Sequence, residues 1–296
     1  MPNGILLLDK PTGLTSNGAL QRVRRAFNAS SAGHVGTLDP MATGMLPLCL
    51  DEATKVIAEI ESGAKAYEFT IKLGSRTDTG DAEGAIVEEA PVPMLDAAAV
   101  ERVLAGFRGI HQQVPPMYSA LKRNGRPLYE LARKGIEVER AARSIEIREL
   151  TLVQLGTTSV DLACECAKGT YIRVLGEDIA RALGTLGHLT KLRRPWVEPF
   201  RGLPMVTLEA ALAGAATGQG LLPADAALQS VPRATLDESQ VSAVRHGQAV
   251  RCNSDPGAEV GRRVRLYGPD SAFLGLAEVL PEGRLQPRRL IRPSAT

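Results

Sequence analysis

Gly33-His34-Val35-Gly36-Thr37-Leu38-Asp39-Pro40-Met41-Ala42-Thr43-Gly44 holds three glycines, one histidine and a single carboxylate, and runs into the apolar stretch Met45–Leu50. Glycine lets a backbone take positive φ and approach a ligand closely. Pro40 biases Asp39 toward an extended conformation, which predicts a carboxylate presented at a bend and not inside a helix. The plainer reading is that Asp39 caps the next turn, as aspartates in Asp-Pro steps often do.

Outward from this stretch, size and composition set the frame. At 296 residues and 44% hydrophobic content, the chain is long enough for about two domains, each with a real core. The net charge of +2 does not announce a polyanionic partner, but the distribution does more. Arg181, Lys191, Arg193, Arg194 and Arg201 face a single acid, Glu198, and Arg284–Pro293 holds four arginines and no acid. Clustered arginines neutralise phosphates even on a near-neutral chain, although a solvated face is the commoner use of such charge. Cys49, Cys164, Cys166 and Cys252 are too few and too irregular for a disulfide framework or a zinc site, so no metal is expected. Met1-Pro2-Asn3-Gly4 lacks the features of a signal peptide and no apolar run spans a bilayer, so a reduced, cytoplasmic protein without a membrane partner is expected.

Ile5–Leu8 reads as a buried strand, and Thr15 or Ser16 as the cap of a helix carrying Leu20, Val23 and Phe27. Lys10 and the polar residues Arg22, Arg24 and Arg25 are candidates to meet RNA phosphate, with a solvated face as the simpler role for the arginines. Glu52–Glu61 reads as a helix with Ala53, Val56, Ile57 and Ile60 inward. Tyr67, Phe69, Ile71 and Leu73 alternate with polar residues and predict a strand, as do Val160, Leu162, Cys164 and Cys166. Gly74–Gly84 is a polar, turn-rich surface loop; the spacing of Asp78, Asp81 and Glu83 does not fit a calcium loop. Asp96–Phe107 is an amphipathic helix. From Tyr118 to Arg148 eight basic and four acidic residues accompany two tyrosines, a mixture suited to looped RNA because rings stack on bases while cations hold the backbone. Tyr171 and Arg173 lie at a strand-to-helix junction, with Gly184 past the helix end. Gly214–Pro223 loosens the pattern. From about residue 235 a short helix (Glu238–Arg245) and brief strands (Val264–Tyr267, Phe273–Val279, Leu285–Ile291) predict a small β-barrel.

The opening stretch, followed by Leu46-Pro47 and Ala53-Thr54-Lys55, resembles the central motif of the TruB family of RNA pseudouridine synthases. Lys10-Pro11-Thr12-Gly13, Lys65-Ala66-Tyr67-Glu68-Phe69, Gly169-Thr170-Tyr171-Ile172-Arg173 and Leu189-Thr190-Lys191-Leu192-Arg193-Arg194 are similar to further motifs of that family. The resemblance implies an α+β fold: a mixed, mainly antiparallel sheet flanked by helices over residues 1–230, with an RNA-clasping insertion around 74–148. A small C-terminal β-barrel of PUA type is implied over 235–296. It implies isomerisation of the T-loop uridine of tRNA, at position 55, to pseudouridine, by a stand-alone monomer without cofactor or protein partner. The short leader before Lys10 favours the stand-alone type over guide-RNA-dependent relatives.

Breaking the N1–C1′ bond, turning the uracil and rejoining through C5 needs no redox or energy input. It needs a carboxylate nucleophile, aimed at C1′ or C6, and a cation to keep it ionised in a dry pocket. The resemblance pairs Arg173 with Asp39 to supply both, where a surface ion pair with Glu177 or Asp178 is the plainer reading of Arg173, and it assigns Tyr67 to stacking on the uracil. Tyr67 or the carboxylate removes the C5 proton. Because a stacked nucleotide must be flipped out, the resemblance gives His34 the vacated space and Leu192 a place against the base. A local hydrogen bond is the other reading for His34. Tyr171, Lys10 and Arg193 complete the expected RNA-facing set, and for Lys10 the resemblance also implies a structural place near the active site. The rival from another class is a non-catalytic RNA-binding or tRNA-folding protein on the same fold.

Overall fold

The computed structural model describes residues 3–123, 125–251, 257 and 259–292; Met1, Pro2, Cys252 and Pro293, part of the readings above, lie outside them. In chain order run β1 (Gly4–Lys10), α1 (Ser16–Ala26), β2 (Ala32–His34), β3 (Thr43–Leu50), α2 (Ile57–Glu61) and β4 (Lys65–Leu73). There follow a hairpin of β5 (Ser75–Thr77) and β6 (Ile86–Glu89), then α3 (Ala97–Ala105), β7 (Gly109–Gln113), β8 (Lys122–Arg123), β9 (Arg126–Pro127) and α4 (Leu128–Ala132). Next come β10 (Arg143–Leu155), β11 (Ser159–Cys166), α5 (Ile172–Ala182), β12 (Gly187–Val197), β13 (Val206–Thr207), α6 (Leu208–Ala213) and β14 (Leu221–Leu222). The C-terminal part holds β15 (Arg233–Thr235), α7 (Glu238–Arg245), β16 (Val250–Arg251), β17 (Arg263–Tyr267), β18 (Phe273–Leu280) and β19 (Arg284–Leu290).

Ten strands form one sheet in the order β13-β1-β3-β12-β4-β11-β10-β7, with β14 added to β1 and β2 to β3. The pairings are antiparallel except β1–β13 and β3–β12. β1 is buried on both faces: Leu6 and Leu8 join the core under α1 and α5, while Ile5 and Leu7 join a second core with Phe200, Leu228 and Leu276. Burial on two faces explains why Ile5–Leu8 is a continuous apolar run, whereas β4 and β11, with one core face, alternate. Tyr67 sits on the core face of β4 opposite Cys164, and both cysteines of β11 are buried there as small apolar side chains.

Two local expectations change. The expected helix Glu52–Glu61 is a 3-10 turn over Asp51–Val56 followed by the short α2. The Thr54 hydroxyl donates to the Asp51 carbonyl at 2.6 Å, occupying the acceptor that an α-turn there would use. Gly74–Gly84 is not only a surface loop: it contains β5, and Thr77 and Asp81 are buried against the main sheet.

The C-terminal strands make a five-stranded sheet, β15-β17-β18-β19-β16. No ladder among the described residues joins β15 to β16, so the sheet curls as a half-barrel and does not close. It rests on the first unit through Leu276 and through polar contacts. Lys55 Nζ donates to the Leu290 carbonyl (2.7 Å), the Arg292 N–H donates to Glu52 (2.6 Å), and Arg263 pairs with Glu59.

Candidate active site

The Gly33–Gly44 stretch leaves β2 at His34 and enters β3 at Thr43, so Asp39 lies on the connection between two paired strands. Ser16, at the start of α1, braces this connection: its hydroxyl donates to the Leu38 carbonyl (2.9 Å) and accepts the Leu38 N–H (2.8 Å). Gly36 has φ +68°, and a Cβ there would stand 2.9 Å from the Arg194 guanidinium. This is the close approach that its lack of a side chain permits.

Arg173 projects from the first turn of α5 to the Asp39 carboxylate. Its Nε donates to Oδ2 at 2.9 Å and its Nη2 to Oδ1 at 3.4 Å. The remaining donors go to the Thr79 carbonyl (Nη1, 2.7 Å) and the Tyr118 carbonyl (Nη2, 2.6 Å). Arg173 is buried, whereas a third of the Asp39 side chain stays exposed, so the guanidinium is sequestered behind a carboxylate that still faces space. A second carboxylate, Asp81, lies 3.6 Å from Arg173 Nε and is as buried as the arginine. Its Oδ1 accepts from the Thr79 hydroxyl (2.7 Å) and the Glu83 N–H (3.1 Å). A buried cation needs such paired and hydrogen-bonded surroundings to offset its desolvation.

Burial raises the Asp39 pKa above the ordinary 3.8; Arg173 opposes the rise and Asp81 adds to it. Burial also raises the Tyr67 phenol, which Arg194, charged and hydrogen-bonded to it, pulls the other way. His34 is lowered from 6.5 by burial and by Arg194, which keeps the ring neutral at pH 7, and its Nδ1 is buried without a hydrogen-bond partner. The local hydrogen bond weighed for His34 is therefore not made through Nδ1. Burial likewise raises Tyr171.

Two cavities meet at the Asp39–Arg173 pair. One, of about 360 Å³, brings Asp39, Arg173, Tyr67, Tyr171 and Leu192 together, with Lys65 and Arg194 in its wall. The other, of about 540 Å³, has His34, Asp81, Glu83, Tyr129 and Arg133 around the same pair. Tyr118, Ser119 and Ala120 border both.

Two residues of the expected set lie outside these two cavities. Lys10 is fully buried, and its ammonium donates to the carbonyls of Leu14 (2.6 Å), Pro11 (2.9 Å) and Pro40 (3.2 Å). All three of its donors are used, so it ties the first turn to the Asp39-Pro40 bend and has none left for phosphate. Arg193 points away from Asp39, into a separate groove of about 690 Å³, and forms a bidentate pair with Asp9 at 3.0 Å on both arms. Its neighbour Arg194 takes the place in the site. Fully buried, Arg194 donates to the carbonyls of Met45 (2.8 Å) and Gly36 (2.8 Å), holding the glycine loop from beneath. The missed residues are thus Arg194, Asp81 and Lys65, whose amine burial and Arg194 push down to about 8. Lys65 and Arg194 lie within motifs quoted above, and Lys65 extends the alternation of β4 by one step, but no signal of their own marked these two or Asp81 as part of the site. Among the described residues no group of three or more His, Cys, Asp or Glu side chains is arranged to hold a metal ion, and no helix is long and apolar enough to cross a membrane.

Residues 24–172 match the family model described as TruB family pseudouridylate synthase (N terminal domain), and residues 232–291 match that described as Pseudouridine synthase II TruB, C-terminal. The chain is 50% identical over 296 residues to the tRNA pseudouridine synthase B of Aromatoleum aromaticum, covering 99% of this chain and 94% of that protein. It is 47% identical over 295 residues to the protein of the same name from Chromohalobacter salexigens, covering 99% and 95%. Among solved structures, a Cbf5-Nop10-Gar1 complex matches with a TM-score of 0.75 at 23% identity, over 99% of this chain and 86% of that one. An H/ACA RNP bound to a substrate RNA containing 2′-deoxyuridine matches at 0.73 and 20%, over 99% and 86%. At such identity the structural likeness speaks for the fold: a mixed, mainly antiparallel sheet flanked by helices, followed by a small PUA-like β unit.

Proposed function

The chain belongs to the TruB family of pseudouridylate synthases, and from that premise we propose that it isomerises the T-loop uridine at position 55 of tRNA to pseudouridine, with Asp39 as nucleophile. Isomerisation of a tRNA uridine follows from the named relatives, which match nearly end to end. The specific uridine and the residue roles are our reading. The observation that carries it is the Arg173 fork on Asp39, a buried cation behind a carboxylate that faces two cavities.

The reaction demands an extruded nucleotide. We assign the smaller cavity to the flipped uridine, with Tyr67 stacking on the ring, Leu192 against its other side and Tyr171 at the mouth. The Asp39 carboxylate adds to C1′ or C6; the N1–C1′ bond breaks and the uracil keeps its electron pair. After the ring turns, C5 bonds to C1′ while the bond to the Asp39 oxygen breaks and returns its electron pair to the carboxylate. The C5 proton passes to Tyr67 or to the carboxylate, and N1 takes up a proton in exchange. Arg173 holds Asp39 ionised and aimed, since an opposite charge at this distance favours the charged form against burial. His34, with a neutral ring and an unpartnered Nδ1, is suited to fill the stack the nucleotide leaves.

Residues 1–230 act as the catalytic domain, with the RNA-clasping insertion around 74–148, and residues 235–296 as the PUA-like RNA-binding domain, in a cytoplasmic monomer that needs no protein partner. The test is tritium release from C5-labelled uridine in unmodified tRNA. Release from wild-type tRNA but not from a transcript lacking the T-loop uridine supports the reading. A chain that binds tRNA and releases nothing is the non-catalytic alternative.

A further inference from the structure

Gln113 ends β7, an edge strand of the main sheet, and is buried at 5% exposure. Its side-chain amide spends both functions on one residue 58 positions away: Oε1 accepts the Tyr171 N–H at 2.8 Å, and Nε2 donates to the Tyr171 carbonyl at 3.1 Å. Tyr171 is the residue from which α5 starts, and no side chain of the helix's own caps it. Its carbonyl also accepts the Leu175 N–H at 3.0 Å, so the Gln113 amide sits on the group that opens the helix. An orphaned helix start is normally satisfied by a local cap; here the partner comes from the sheet edge.

Five residues after Gln113, the Tyr118 carbonyl accepts from Arg173 Nη2 at 2.6 Å. The stretch 113–118 is therefore tied to the first turn of α5 at two points, the backbone that enters the helix and the guanidinium that leaves it. Through the second of these, and through Ser119 and Ala120, it also borders both cavities.

We propose that Gln113 is a positioning residue for the isomerisation: it sets where α5 begins so that Arg173, two residues into the junction, meets Asp39 with both arms. The proposal rests on the reading of Asp39 and Arg173 as the reacting pair. Displacing a reacting group by about 1 Å costs on the order of a hundredfold in rate. A small drift of the helix start therefore registers in turnover before it registers in tRNA binding.

Gln113→Leu keeps the bulk and removes both hydrogen bonds. In the tritium-release assay kcat falls about ten- to a hundredfold, while KM for tRNA stays within about threefold. The acid limb of kcat moves to higher pH, because Asp39 loses part of the guanidinium's hold. Gln113→Glu decides the matter if the leucine variant does not fold. The introduced carboxyl accepts the Tyr171 N–H, and it donates to the Tyr171 carbonyl only when protonated, a state that burial favours. The ratio of its kcat to the wild-type value accordingly climbs as pH falls, which lost packing does not produce. Wild-type kcat and an unmoved acid limb in Gln113→Leu, or a ratio flat with pH in Gln113→Glu, overturns the proposal. A wild-type chain that releases no tritium overturns the underlying reading instead, so the two failures are told apart.

Discussion

Gly44 and Arg194 meet backbone to backbone: a Cβ on Gly44, at φ +102°, would stand 2.3 Å from the Arg194 oxygen and 2.7 Å from its nitrogen. This is where β3 and β12 pair in parallel, which sets the Asp39 connection beside the strand carrying Leu192 and Arg194. Gly44→Ala combines a left-handed conformation with a collision that no rotamer relieves. It should destabilise the chain by about 2–4 kcal/mol, read as a lower denaturant midpoint. An unchanged midpoint would contradict the close approach.

Asp39→Asn tests the nucleophile against the turn cap. The Asp39 carboxylate accepts from Arg173 and, among the described residues, bonds no backbone N–H. We expect product formation to fall by on the order of 10⁴, with tRNA affinity within about threefold and a melting temperature within roughly 3 °C of wild type. A large loss of stability would instead speak for a capping role.

Arg173→Ala leaves Asp39 and Asp81 facing each other without the cation between them. Burial already raises Asp39, and removing its counter-charge raises it further. Because the attacking carboxylate must be ionised, activity is lost as pH falls through that pKa. The acid limb of kcat/KM should therefore lie above 3.8 in the wild type and higher still in the variant. The rate should drop more than tRNA binding. An acid limb that stays in place removes Arg173 from the control of Asp39.

His34→Ala should lower kcat/KM about 5- to 150-fold, the range expected when a base loses an aromatic platform worth about 1–3 kcal/mol. His34→Phe restores a ring without a polar nitrogen and should recover most of the loss. If phenylalanine is as poor as alanine, His34 works through a hydrogen bond and not by stacking.

Lys10→Met separates a structural lysine from an RNA contact. Losing three carbonyl bonds at a fully buried site should lower the melting temperature. The dependence of tRNA affinity on salt should not change, whereas losing a phosphate contact reduces that slope by about 0.7–0.9. A reduced slope would return Lys10 to the RNA surface.

What could be read along the chain follows from periodicity and local stereochemistry. Tyr67–Leu73 and Val160–Cys166 alternate because one face of each strand meets the core, and that pattern survives in β4 and β11. The helix Glu238–Arg245 forms where the sequence placed it, and the structure adds a capping box of Asp237 and Gln240 at its start. The Asp-Pro bend is local too, so its carboxylate was legible as a feature.

Other features depend on distant partners. Arg193 and Arg194 are adjacent in sequence, yet strand alternation at β12 sends one to Asp9 and the other under the glycine loop. Choosing between them requires the register of the sheet, in which a one-residue slip exchanges the faces. Asp81 lies in a turn-rich loop whose composition says surface, and only folding that loop onto α5 buries it beside Arg173. The sequence by itself determined the alternating strands β4 and β11, the amphipathic helices α1, α3 and α5, and the presence of an acid, a tyrosine and an arginine suited to the chemistry. Only the tertiary structure decided that Asp81, Lys65 and Arg194 gather around the Asp39–Arg173 pair, because a cluster of charges is defined by distance and burial, quantities that no local pattern encodes.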